Sequence, residues 1–531
     1  MSVVTVNDSL VSTAPPRTSS DEVATKRIGL LDWLASKFTA GSIKGSILEL
    51  ISATIGAGVL TLPYAFGRSG LSLSIIQALI CAGLGFYSTR LLAKCGDLAK
   101  KYSYAELAEA SYGPVFVFFV KLIFFLNNWG GCVIYTILIT NLLSTSVGMF
   151  FPDLPNYLTD TNSLVWPPIY TTLIILPLSL NRDLSALRYT CLTGFLFIMY
   201  LAVVVIYQSN RVSDLRHNFK ISEHFVWSGI KVTFPTVVFS FSCHPNVLDV
   251  YHELQRSSMR RMTKVLFRTM FVACLVFLLV GSFGYLTFTD KKYFLDCPQN
   301  ILLSFRYLNW PTSTVVALLC IGFTIILAMP LSIKPSKDAL RALLISDKPT
   351  KKASKVNKGV KADLSKEDVS EVVKKEIKDD IKEEDIQRDI NENIREETKG
   401  NNKEDIPEIV KEDVPENIKK DLNEPLLNNT EAAYQKKKDS TALHVSLVVF
   451  VVYSQMICGM FAKSMASVIT LLGASAYPLI CYCFPCLFFL KLDKSHWYSP
   501  QRLFAHLINI LMFGLAVYCT VSFFTEDSDF C

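Results

Sequence analysis

Ser52-Ala-Thr-Ile-Gly-Ala-Gly-Val-Leu-Thr-Leu-Pro-Tyr-Ala-Phe66 lies inside the first long apolar run of this 531-residue chain, yet it carries Gly56, Gly58 and Pro63. Glycine costs a helix about 1 kcal/mol relative to alanine, and an interior proline about 3 kcal/mol. A lipid-facing helix gains nothing from such residues. A helix broken at mid-membrane does, because its freed N–H and C=O groups can hold a ligand. Small residues also serve close helix–helix packing, and this stretch alone leaves both readings open. A second interrupted stretch, Phe234-Pro-Thr-Val-Val-Phe-Ser-Phe-Ser-Cys-His-Pro-Asn-Val-Leu248, favours the broken helix. It sets Pro235 and Pro245 around Ser240, Ser242, Cys243 and His244. Paired interruptions in corresponding positions of two halves point to the binding site of a secondary transporter. The first falls in membrane segment one and the second in segment six, the spacing of two inverted five-helix repeats.

The rest of the chain agrees with a membrane protein. Half of its residues are hydrophobic and 35 are phenylalanine. Runs of about 20 apolar residues span a bilayer. Eleven are predicted: 46–67, 71–94, 116–148, 165–181, 187–208, 225–248, 263–288, 311–334, 441–461, 464–490 and 501–524. The third is long enough to tilt. The expected fold class is an all-α polytopic membrane protein. Its organisation reads as a cytosolic tail (1–43), spans (44–340), a charged loop (341–440), further spans (441–524) and a short outer tail (525–531).

Residues 1–26 lack the apolar core of a signal peptide, so the N-terminus is expected in the cytosol. Loop charges agree. Lys26, Arg27, Lys37 and Lys44 precede segment one, Arg90, Lys94, Lys100 and Lys101 follow segment two, and Arg182 and Arg188 follow segment four. Arg256, Arg260, Arg261 and Lys264 follow segment six, and Lys491, Lys494 and Arg502 follow segment ten. All fall on the cytosolic side; the 209–224 loop is the exception. The net charge of +6 is thereby spread over the flanks, as topology requires, and is no nucleic-acid signature. Most of the fourteen cysteines sit in membrane segments, including the C-x-x-C of Cys483 and Cys486, where thiols are inert. Only Cys297 and Cys531 are outer-face candidates for a bridge.

Residues 345–438 are dominated by Lys, Glu, Asp, Asn and Ile. An octapeptide recurs there: Lys366-Glu-Asp-Val-Ser-Glu-Val-Val373, Lys403-Glu-Asp-Ile-Pro-Glu-Ile-Val410 and Lys411-Glu-Asp-Val-Pro-Glu-Asn-Ile418. With few aromatics it cannot bury a core, so a disordered cytosolic loop is expected. Ile377, Ile381, Ile386, Ile390 and Ile394 could line a transient helix and meet a cytosolic protein partner. The sequon at Asn428 should be unused on that side.

A charge at the bilayer centre costs about 2.5–3.5 kcal/mol on insertion scales, so buried charges are read as functional. Here Glu49, Lys121, Lys231, Arg268 and Lys463 all lie near segment ends, where they can snorkel. A doubly charged substrate would then be met by backbone dipoles, its carboxylate by a half-helix N-terminus and its ammonium by free carbonyls. A small zwitterion such as an amino acid fits. Asn127 and Asn128 could face that site or bond a neighbouring helix. His244, with an ordinary pKa of about 6.5, could relay protons or cap the broken helix. No nucleophile–base pair, metal-ligand spacing or cofactor motif is visible, which argues against an enzyme.

Five stretches taken together resemble one family. They are Ile55-Gly-Ala-Gly-Val-Leu-Thr-Leu-Pro-Tyr-Ala-Phe66; Ser103-Tyr-Ala-Glu-Leu-Ala108 with Tyr112-Gly113; Ser242-Cys-His-Pro-Asn-Val-Leu248 with Glu253-Leu254; Gly284-Tyr-Leu-Thr-Phe288; and Leu472-Gly-Ala-Ser-Ala-Tyr-Pro-Leu479 with Phe484-Pro485. The chain resembles the amino acid/auxin permease family. The resemblance implies a leucine-transporter-like fold of eleven helices, with a 5+5 inverted repeat and broken helices one and six. It implies transport of L-amino acids by alternating access, coupled to protons or sodium. It assigns the substrate carboxylate to Thr54, Ile55, Gly56, Ala57 and Gly58, and the amine and side chain to Ser240, Ser242 and Cys243, with Asn128 a further candidate.

Sodium-coupled members are similar but carry Asn where this chain has Ser52, and Thr where it has Ala328. Two lost oxygen ligands favour proton coupling or facilitated exchange, with His244 the coupling candidate. Their disulfide between the loops after helices five and seven has no cysteine here in the first loop. The alternative function is a membrane amino-acid sensor signalling through its cytosolic segments. Plasma membrane and vacuolar or lysosomal membrane are both compatible.

Overall fold

The computed structural model describes residues 41–181, 190–211, 225–288, 299–344, 441–462 and 464–525. The expected N-terminal tail up to residue 40, the charged loop from 345 to 440, the bridge candidates Cys297 and Cys531, and Arg182, Arg188 and Lys463 lie outside the described residues. The chain divides into two units, Met1–Leu340 with Val448–Cys531, and Arg341–Leu447. In the second, the described residues are helical turns at its two ends.

Helix α1 (Ile43–Thr54) starts at Ser42, whose Oγ accepts from the Gly45 amide at 3.0 Å, satisfying one of the orphan donors of a first turn. It ends where Ile55 leaves helical geometry (φ −88°, ψ 78°). Helix α2 (Gly58–Ser69) resumes after a 53° bend. Gly70, at φ 82°, then turns the chain into α3 (Leu71–Ala99); only a residue without Cβ adopts that geometry freely. A short α4 (Tyr104–Tyr112) is capped by Ser103 Oγ and precedes α5 (Pro114–Phe150). At 37 residues α5 is about 55 Å long, well beyond a hydrocarbon core of about 30 Å.

The apolar segment α6 (Trp166–Leu180) contains a wide turn at Thr171–Ile175, just before Pro177 removes an N–H from the ladder. Helix α7 (Thr190–Arg211) follows. The second break separates α8 (Ile230–Ser240) from α9 (His244–Glu253). Pro245 falls in the first turn of α9, where no N–H is needed. Then come α10 (Met259–Thr287), α11 (Thr312–Leu344), α12 (Thr441–Phe461), α13 (Met465–Ala474), α14 (Phe484–Leu492) and α15 (Pro500–Thr525). A second wide turn, Leu479–Cys483, again sits just before a proline, Pro485.

The fold is all-helical among the described residues. Eight helices there are long and apolar enough to cross a membrane, or nine with α1–α2 counted as one bent span. The predicted count of eleven adds the shorter α6 and the interrupted α8–α9, neither of which reaches span length as a continuous helix. Both interruptions expected from the sequence are present.

The halves of the broken segments interlock. Thr233 Oγ1 on α8 donates to the Ala65 carbonyl of α2 at 2.8 Å. Gly473 of α13 lies directly on the Pro235 carbonyl of α8, and Gly58 of α2 lies on Ser240 of α8. Gly284 on α10 faces the Pro63 ring, where a Cβ would come within 2.5 Å. Such crossings need backbones to approach closely, which is what small residues permit.

Candidate functional site

A cavity of about 380 Å³ lies in the first unit, between the two breaks. Its walls come from α1 and α2, the middle of α5, the start of α7, the α8–α9 break, α11 and Tyr477. Five of the expected site residues, Thr54, Ile55, Gly56, Ala57 and Gly58, line it as consecutive backbone. There Ile55 donates to Ile51 O at 2.8 Å and Gly56 to Thr54 O at 3.1 Å. Val59 and Leu60 make long bonds, 3.4 and 3.2 Å, to Gly56 O and Ala57 O. The amides of Ala57 and Gly58 have no backbone partner among the described residues. They stand at the N-terminus of a twelve-residue helix, where the macrodipole favours an anion.

Opposite, Ser242 and Cys243 also line the cavity. Ser242 Oγ accepts from the Cys481 thiol at 3.2 Å. Cys481 belongs to the wide turn Leu479–Cys483. That turn is held from outside by Tyr104 of α4, whose buried hydroxyl donates to the Ile480 carbonyl at 3.1 Å.

Asn128 lines the cavity while its amide donates to Phe124 O at 2.8 Å, within its own helix. Asn127 lines it too, and its buried Oδ1 has no partner. Two expected residues lie elsewhere. Ser240 is behind the break, with its hydroxyl donated to Thr236 O at 2.8 Å and its side chain against Gly58. His244 is fully buried away from the lining, with Nε2 2.7 Å from Ser88 Oγ of α3.

Several lining residues escape the sequence reading. Tyr135 reaches past Gly56, 3.7 Å from where a Cβ would stand, and Ser332 of α11 lines the same cavity. Tyr135 completes a stripe of Asn127, Asn128, Gly131, Ile134 and Tyr135 on one face of α5, the i, i+1, i+4, i+7, i+8 spacing of a helical face, which was available as a signal. Phe239 and Tyr477 both line the cavity, with ring centroids 4.8 Å apart. Glu49, read from sequence as an end residue free to snorkel, lines the cavity instead. The reason is that α1 stops at Thr54, so a residue near the start of the apolar run is only five residues from the break.

Ser52 and Ala328 line the same cavity. Ser52 donates its hydroxyl to the Cys191 carbonyl of α7 at 2.7 Å. Among the described residues no group of three or more His, Cys, Asp or Glu could hold a metal ion.

A family profile described as transmembrane amino acid transporter protein matches residues 39–525. The chain is 26% identical over 310 residues to solute carrier family 38 member 10 of Mus musculus, covering 56% of this chain and 27% of that one. It is 26% identical over 316 residues to the putative sodium-coupled neutral amino acid transporter 10 of Xenopus laevis (57% and 28%) and to the Homo sapiens member 10 (57% and 26%). The match spans about a quarter of the length of these relatives. Among solved structures, the Eremococcus coleocola manganese transporter aligns at TM-score 0.45 and 10% identity, over 92% of this chain and 88% of that one. A Na+-coupled sialic acid symporter aligns at TM-score 0.38 and 10% identity, over 93% and 98%.

Proposed function

The chain belongs to the transmembrane amino acid transporter family, and from that premise we propose that it carries L-amino acids across its membrane by alternating access. The observation that carries this reading is the cavity between the two breaks, walled on one side by Ala57 and Gly58, whose amides have no backbone partner among the described residues, and by Ser242 and Cys243 on the other. The substrate carboxylate sits at the start of α2, and Thr54, Ile55, Gly56, Asn128 and the α8–α9 break hold the remainder. Alternating access moves one five-helix repeat against the other about this point.

Proton coupling or exchange fits better than sodium coupling. Ala328 offers no side-chain oxygen, and Ser52 stands where the similar sodium-coupled members carry an asparagine. The compartment is the plasma membrane or a vacuolar or lysosomal membrane, with the N-terminus in the cytosol. The octapeptide repeats of the 345–438 insert favour one second reading, a sensor that signals to a cytosolic protein through that loop.

The test is flux of radiolabelled amino acids into proteoliposomes under imposed pH or sodium gradients, with Gly56→Leu as control. Flux driven by pH and lost in the variant supports the reading. Binding without flux supports the sensor instead.

A further inference from the structure

Glu49 is the only charged residue in the cavity lining; no lysine, arginine or histidine lines it among the described residues. It is half-buried and has no ion-pair or hydrogen-bond partner there. The charged groups acting on it are Glu253 and Asp249, both on α9 and both carboxylates. Its neighbours therefore deepen the negative potential. A carboxylate held partly out of water beside two others is costly, and the cost is relieved when a proton or a cation is brought to it.

Its place along α1 says which cation. Five residues separate Glu49 from Thr54 at the break, a rise of about 7–8 Å. An amino acid whose carboxylate rests at Ala57 and Gly58 has its own amine at the break. A side chain that runs from there along α1 reaches Glu49, over a span comparable with an extended lysine or arginine side chain. A short neutral side chain leaves Glu49 unmet. We propose that Glu49 is a specificity-determining residue that receives the cationic side chain of a basic amino acid. The proposal rests on the transport reading above and names its substrate class.

The experiment uses the full chain in proteoliposomes preloaded with unlabelled lysine or leucine, measuring counterflow of the labelled compound. Wild type is expected to carry lysine at least tenfold better than leucine. In Glu49→Gln that ratio should fall at least tenfold, and Glu49→Asp should keep it within a few-fold. Leucine carried without lysine by wild type, or an unchanged ratio in Glu49→Gln, overturns the assignment while leaving transport standing. Leucine flux that follows a pH gradient and vanishes in Glu49→Gln, with lysine excluded, overturns it too, in favour of a proton-carrying Glu49. No counterflow of any amino acid overturns the transport reading and this proposal with it. Should Glu49→Gln fail to fold, the wild-type ratio alone still decides.

Discussion

Gly58 and Ser240 are in direct van der Waals contact across the two broken segments, so close that a Cβ on Gly58 would overlap the serine hydroxyl and stand 3.1 Å from its Cα. The glycine thus serves packing as well as the freed amides, and Ser240 is part of a joint between α2 and α8. Overpacking typically costs about 1–3 kcal/mol. Gly58→Ala should lower thermal stability by that order, and Ser240→Gly in the same chain should restore part of it. Melting curves of the two single variants and the double variant measure the coupling. Strictly additive losses would show that the residues do not share a joint.

Gly56 differs from Gly58 in its surroundings. A Cβ there meets only the Tyr135 hydroxyl within 4 Å. Gly56→Leu should fill the cavity and abolish flux by at least tenfold, yet melt within a few degrees of wild type. A variant that unfolds instead would place Gly56 in the packing and not in the site.

Ser52→Ala removes the bond to the Cys191 carbonyl. A neutral hydrogen bond is worth about 0.5–1.5 kcal/mol net, and a modest loss of stability of that size is expected. Flux in a sodium gradient and in its absence should respond identically in wild type and variant. A sodium dependence that disappears with the hydroxyl would restore Ser52 as an ion ligand and sink the proton or exchange reading.

His244 sits outside the cavity, bonded to Ser88. Removing one partner of a buried hydrogen bond costs about 1–3 kcal/mol, so His244→Ala should be destabilised by about that much. His244→Gln can still pair with Ser88 and should keep both fold and pH profile. If the pH dependence of flux is lost in a well-folded His244→Gln, a proton relay is the better account.

Deleting residues 345–438 should leave flux within twofold of wild type. Loss of flux with an intact melt would move the insert into the transport cycle.

How much of this was legible beforehand follows from how local each signal is. The breaks at Ile55–Ala57 and Phe241–Cys243 were readable because glycine and proline act on their own backbone. The wide turns before Pro177 and Pro485 carry the same kind of signal, in weaker form. Which side chains face the cavity is a different matter. Glu49 looked like an end residue until the stop at Thr54 fixed its distance from the break. Tyr477 and Ser332 come from helices far along the chain, and only packing brings Tyr477 to Phe239 and Ser332 to the same cavity. Ser240 and His244 carry polar groups beside the break, yet they face Gly58 and Ser88. Composition marks such residues, but the rotation of a short half-helix decides where they look.

The Tyr104 hydroxyl holds a carbonyl in the same wide turn from which Cys481 reaches Ser242. Helix α4 is too short to span a bilayer, yet these two bonds tie it, through one phenol and one thiol, to Ser242 in the wall of the cavity.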